Sequence, residues 1–216
     1  MKLRTAPYIE QLPTWPPSGR HVMAQYDDSH LIVYQAFRPE IGRYAVEHQR
    51  FGGPFQMGRM TWIKPNFLWM MYRSGWGTKS DQEITLAISL KREGFDTLLS
   101  QAVASTFDPA LFPNEEQWRL AVASSSVRLQ WDPDHDPTGR PVGRRAIQIG
   151  MRGDAVHRYV TEWTVGIEDI SAFVAEQRAT LESAGVHAIE MPIECVYDVR
   201  DDKTRRRLGM APNAGV

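Results

Sequence analysis

"QEITLAISLK", residues 82–91, is the stretch whose reading decides the fold. Ile84, Leu86, Ile88 and Leu90 alternate with Glu83, Thr85, Ser89 and Lys91. That period of two sends successive side chains to opposite faces of a β-strand. Upstream, "HLIVYQAF" (30–37) is a short β-branched and aromatic run that reads as a buried strand, and "PEIGRYAVEHQRFGG" (39–53) as a helix begun by Pro39 and stopped at Gly52–Gly53. Between them and the opening stretch, "RMTWIKP" (59–65) predicts a second strand ended by Pro65. It leads into a short helix, "FLWMMYRS", capped by Asn66 and apolar on nearly every side.

Downstream, Phe95, Leu98, Leu99, Ala102 and Val103 mark a helix stripe. "SVRLQW" and "AIQIGM" alternate through Val127, Leu129, Trp131 and Ile147, Ile149, Met151, a β-hairpin whose long loop "DPDHDPTGRPVGR" is rich in turn residues. Val156, Tyr159, Val160 and Trp163 recur at helical spacing, and an amphipathic helix runs from Ser171 to Ala184. "IEMPIECVYDV" (189–199) alternates through Met191, Ile193, Cys195, Tyr197 and Val199, with Pro192 favouring an edge strand. Strands and helices interleave without regular βαβ spacing, so the expected class is α+β with a mostly antiparallel sheet. Residues 1–21, with Pro7, Pro13, Pro16 and Pro17, read as an irregular arm; 22–200 as one α+β domain; and 201–216 as a charged mobile tail.

At 216 residues the chain is long enough to bury a core without staples. A net charge of −1 gives no global field that would recruit nucleic acid or an anionic membrane. The single cysteine, Cys195, excludes an internal disulfide framework and suits a reducing compartment, so a cytoplasmic protein is expected. No apolar run approaches the roughly 20 residues that span a bilayer, and no signal-peptide h-region opens the chain. P-loop, dinucleotide-fingerprint, zincin and nucleophile-elbow motifs are absent. Asp132, Asp134, His135 and Asp136 are interleaved with prolines and read as a solvated hairpin loop, so no metal is predicted. Cys195 reads as a buried structural thiol, Arg205–Arg207 as a solvated run, and His30 and His48 as polar residues at element edges.

The chemistry concentrates in "RMTWIKPNFLWMMYRSGW" (59–76). Trp62, Trp69 and Trp76 offer faces for a planar ring, and Lys64 and Arg73 offer charge to a phosphate. A core helix with snorkelling cations is the alternative identity of this segment. A wall of indoles near cations suggests a lined pocket.

"VYQAF", "RMTWIKPNFLWMMYRSGW", "QEITLAISLKREGF" and "IQIGMRG" together resemble the family catalogued as domain of unknown function 4291, over roughly residues 20–200. In element order, "IVYQAFRPEIGRYAVEHQRFGG", "MTWIKPNFLWMMY" and "YVTEWTVGIEDIS" are also similar to the ADP-ribosyltransferase superfamily. That second resemblance implies a transferase using NAD or another nucleotide, with a nucleic acid or protein acceptor. By its analogy Tyr34, Gln35 and Arg38 contact the dinucleotide, Thr61 and Trp62 line the nicotinamide slot, and Lys64, Trp69 and Trp76 complete the pocket. Arg73 and Glu162 are then the catalytic pair, with Glu83 the other carboxylate to consider. The competing expectations are a non-catalytic module that binds RNA or a nucleotide, and a partner-binding protein with an aromatic hot spot.

Overall fold

The computed structural model describes residues 1–210. The chain opens with β1 (Thr5–Pro7), α1 (Tyr8–Gln11), a 3-10 turn (Leu12–Thr14), β2 (Gly19–Arg20) and β3 (Met23–Ala24). Then come β4 (His30–Phe37), α2 (Pro39–His48), β5 (Thr61–Ile63), α3 (Phe67–Ser74), β6 (Ile84–Lys91) and α4 (Arg92–Gln101). The second half holds β7 (Val103–Ala104), α5 (Glu115–Ser124), β8 (Val127–His135), β9 (Pro141–Met151) and α6 (Asp154–Arg158), which runs on into a π-turn (Tyr159–Trp163). β10 (Thr164–Asp169), α7 (Ser171–Ala184), β11 (Glu190–Pro192), β12 (Cys195–Val196) and α8 (Asp202–Arg207) complete it. No helix among the described residues is long and apolar enough to cross a membrane.

The architecture is α+β with mostly antiparallel sheets. One sheet has the order β10-β6-β4, antiparallel throughout. A second runs β2-β9-β8-β7, with β5 also pairing β9; its β8–β9 and β5–β9 pairs are antiparallel, and its short β2 and β7 join in parallel. Two small ribbons, β1–β11 and β3–β12, tie the chain ends to the body.

β6 shows why the core has two halves. Leu86, Ile88 and Leu90 enter a large cluster with Leu31, Val33, Phe95, Leu98, Ile147 and Ile149. The opposite face is covered as well. Ala87 joins a second cluster with Tyr34, Phe67, Met70 and Val174, while Thr85 and Ser89 are also buried. Of these two polar side chains Ser89 is used, its Oγ accepting from the Met1 ammonium at 2.7 Å, whereas the buried Thr85 hydroxyl has no hydrogen-bond partner among the described residues.

Four expectations change in three dimensions. The N-terminal arm is built into the second cluster: β1 pairs β11, Tyr8 and Trp15 are buried, and the Trp15 indole N–H donates to the Glu194 carbonyl. In the tail, Asp201 accepts the N–H groups of Lys203 and Thr204 and starts α8. Arg207 then donates to the carbonyls of Leu99, Ser100 and Ala102 at the end of α4, and Arg205 and Leu208 are buried. This is a docked helix, not a mobile segment; positions 211–216 of the expected tail lie outside the described residues. The alternation of 189–199 breaks after Pro192. Ile193 and Cys195 are exposed and Glu194 takes the interior place, so the cysteine is not a buried thiol. Finally, β8 and β9 extend through most of the predicted loop. Asp134 is wholly buried against Arg144 at 2.7 Å and His135 is buried too, leaving Asp136 to organise the turn by accepting from Thr138 and Arg140.

Candidate ligand-binding cleft

The two large sheets meet at one backbone bridge. The Tyr34 N–H donates to the Lys64 carbonyl at 2.7 Å, and the Lys64 N–H returns to the Tyr34 carbonyl at 3.2 Å. Beyond it, the link between β4 and β5 passes to a side chain. Gln35 Nε2 donates to Thr61 Oγ1 at 2.7 Å and to the Trp62 carbonyl at 3.0 Å. Its Oε1 accepts from the Tyr159 hydroxyl at 2.7 Å. The amide is fully used and its orientation is fixed from both ends. The space that opens past this bridge is a cleft of about 360 Å³, lined by the end of β4, β5, the 54–60 loop, Met70 of α3, and Asp81 and Gln82. That volume is within the usual range for small-molecule sites, roughly 300–1,000 Å³.

Trp62 forms one wall. It is paired with Gly150 of β9, and its indole lies so close to that glycine that a Cβ there would stand 2.8 Å from the ring. Glycine at 150 is therefore what lets the ring lie against the sheet, partly exposed toward the cleft. Arg38 and Arg59 are exposed lining residues; the Arg38 guanidinium makes only a loose surface pair with Glu40 at 3.6 Å. Asp81 is also exposed on the lining, held at φ 64°, with its N–H donating to Glu83 Oε1.

Lys64 belongs to the buried part of the lining. Its exposure is 7%, and among the described residues its ammonium has neither a hydrogen-bond acceptor nor a carboxylate within ion-pair distance. Burial lowers the amine from 10.5 to about 8, the nearby charge of Arg73 pushes the same way, and Asp132 pulls weakly in the opposite direction. Asp132 is itself occupied, accepting from Gln130 and Gln148.

The next three residues of the chain secure the position of Lys64. Pro65 ends the strand, and Asn66 caps α3 through Oδ1, which accepts the Trp69 N–H at 2.7 Å. The Asn66 amide donates to Glu194 Oε2 at 3.2 Å, and the Phe67 N–H donates to Glu194 Oε1 at 2.6 Å. Glu194 is fully buried. Desolvation pushes its carboxyl well above the usual range, and the Phe67 N–H partly offsets that. A buried acid thus holds the helix start immediately after the cleft lysine.

Of the residues expected at a site, Gln35, Arg38, Thr61, Trp62 and Lys64 line this one cleft. The other expected residues stand elsewhere. Tyr34 is wholly interior, edge-on to Phe67, and its buried hydroxyl has no hydrogen-bond partner among the described residues. Trp69 is buried in a stack with Tyr72 and His135, and Trp76 packs edge-on against Phe67. Arg73 is exposed and does not line the cleft, although Lys64 feels its charge. Glu162 is exposed on the π-turn and pairs with Arg158 at 3.0 Å, outside the lining; Glu83 is likewise outside it. The sequence did not single out Arg59, Met70, Asp81, Gly150 or Tyr159 as site residues, although the first two lie inside the tryptophan-rich stretch.

The sequence matches the family described as domain of unknown function (DUF4291) over residues 21–197. No curated protein matches the chain.

Proposed function

We propose that this chain, which belongs to the DUF4291 family, binds a nucleotide in the cleft between β4 and β5. One observation carries the reading: a partly exposed indole, two exposed arginines and a buried lysine with no counter-ion among the described residues share one concavity. Stacking on Trp62 would hold a base or nicotinamide ring, an interaction of about 1–3 kcal/mol per base. Arg38 and Arg59 would take the phosphates, for which the guanidinium fork is suited. Gln35 and Thr61, already bonded to each other, keep the wall in place without contributing free donors.

The test is a thermal-shift titration with ATP, NAD and short RNA at fixed salt. A ligand that binds only the folded chain at 100 times its Kd stabilises by about 2.7 kcal/mol. We expect ATP or NAD to raise Tm, and Trp62→Ala and Arg38→Ala each to weaken the shift. RNA binding with steep salt dependence and no mononucleotide shift would favour a single-strand module instead. No shift with any of the three at millimolar concentration rejects the reading.

Asp81 favours a second, catalytic version of it. Transfer of a ribosyl group passes through an oxocarbenium-like state that a nearby carboxylate stabilises. Glu162 stands outside the lining, whereas Asp81 is part of it. Release of nicotinamide from NAD, lost in Asp81→Asn while NAD binding persists, is the expected signature.

A further inference from the structure

We infer that Lys64 is a covalent-binding residue, whose ε-amine condenses with the carbonyl carbon of a phosphorylated aldehyde or ketone held in the cleft. The inference rests on the proposal that the cleft accepts a planar, phosphorylated ligand, and it adds what the lysine does there.

Among the described residues, buried Lys64 stands apart from the buried Arg92, Arg128 and Arg144. Arg92, Arg128 and Arg144 are each bonded to the fold: Arg92 to Tyr197 and the Asp198 carbonyl, Arg128 to the Ser125 carbonyl, Arg144 to Asp134 and the Pro16 carbonyl. They are structural. Lys64 is buried to the same degree and has no such partner among the described residues, yet it faces a cavity. The rim already supplies guanidinium groups for an anion, so a further phosphate clamp is not what the lysine adds. A desolvated amine near other cations is the environment that leaves the nitrogen lone pair free to attack. Burial and Arg73 act together in that direction here.

The step balances without an outside oxidant or reductant. The neutral amine nitrogen forms a bond to the carbonyl carbon, and a proton passes from nitrogen to the former carbonyl oxygen. The remaining amine proton then passes to that hydroxyl, the C–O bond breaks to release water, and the nitrogen lone pair completes the C=N bond of the imine. Trp62 would stack the conjugated ring, and Arg38 and Arg59 would hold the phosphate.

The probe is pyridoxal 5′-phosphate, which carries an aldehyde, a planar ring and a phosphate. The full chain is incubated with it at pH 7.5, reduced with borohydride, and mapped by peptide mass. We expect one equivalent at Lys64, entering on the order of tenfold faster than at Lys2, Lys79, Lys91 or Lys203, since only the cleft would hold the ring and phosphate with the aldehyde beside the amine. Lys64→Arg should lose that label and the imine absorbance; Lys64→Met serves as a second variant, with Tm as the folding control for both. Label spread over the other lysines, with Lys64 unmodified, overturns the inference. The two readings fail separately. A Tm shift with ATP but no Lys64 label rejects the imine and keeps the nucleotide site. Lys64 label that neither ATP nor NAD protects, with no Tm shift from ATP, NAD or RNA, keeps the reactive amine and rejects the nucleotide.

Discussion

Tyr159 donates its hydroxyl proton to Gln35 Oε1 at 2.7 Å, joining the π-turn to β4 across 124 residues of sequence. That bond decides which end of the Gln35 amide faces the cleft wall. With Oε1 taken, Nε2 must point to Thr61 and the Trp62 carbonyl, where both acceptors stand. Replacing Gln35 by leucine orphans groups on both sides of the split between the sheets. Buried groups left unpaired cost about 1–3 kcal/mol each, so Gln35→Leu should lose roughly 2–4 kcal/mol in urea unfolding. Tyr159→Phe leaves only one acceptor unpaired and should lose about 1–2 kcal/mol. Equal losses in the two variants would contradict this account of the network.

Gly150→Ala tests the seating of Trp62. The added methyl would fall 2.8 Å from a rigid indole, too close to coexist with it. The ring must move, so the variant should show a changed tryptophan emission spectrum. It should also lose at least about tenfold in ligand affinity, equivalent to roughly 1.4 kcal/mol. Retained emission and affinity would mean that the indole is not held by this contact.

Lys64→Met tests the energetic state of the cleft lysine. The folded-state value of about 8 lies below the ordinary 10.5. Between those two values the unfolded chain binds more protons than the folded one, so folded-state stability rises with pH across that window. Below about 8 the charged lysine carries its full burial penalty, on the order of 3 kcal/mol. Methionine keeps the length and removes the charge. We expect the variant to be more stable than the parent at pH 7, by about 1–3 kcal/mol, and the gap to narrow by pH 9.5. Denaturant midpoints at the two pH values check this; a gap that does not change with pH would refute it.

Glu194→Ala tests the anchor of α3. The Phe67 N–H and the Asn66 amide would both lose their acceptor in a dry site, with a cavity added. A loss of about 3–5 kcal/mol is expected from calorimetry or urea unfolding. A loss below about 1 kcal/mol would show that the helix start does not depend on this carboxylate.

Cys195 offers a test of the broken alternation near the C-terminus. The residue is exposed, while partial burial of the thiol raises its pKa. It should react with a disulfide reagent in the native state, but more slowly than in the urea-unfolded chain. Native-state protection as complete as that of a core thiol would restore the interior placement.

Much of the framework is written locally. β4, α2, the hairpin of β8 and β9, and α7 follow from period, caps and stops, because those signals act between residues close in sequence. The same holds for α3, where Asn66 and the turn at Gly75 bound an apolar run that had to be buried. Within the site, Trp62 and Lys64 were legible because two residues apart on a strand they share a face. What the sequence could not determine is which side of each element meets another. Trp69 was as good a ring on paper as Trp62, yet β8 brings His135 over it while the gap beyond the Tyr34–Lys64 bridge exposes Trp62. Asp81 rather than Glu162 lines the cleft, and Glu194 rather than Cys195 turns inward. These outcomes depend on packing between segments far apart in the chain, and on hydrogen bonds such as Tyr159 to Gln35 that leave no periodic trace. Local periodicity specifies the elements and their apolar faces; only the assembled sheets decide where they part to leave a cavity.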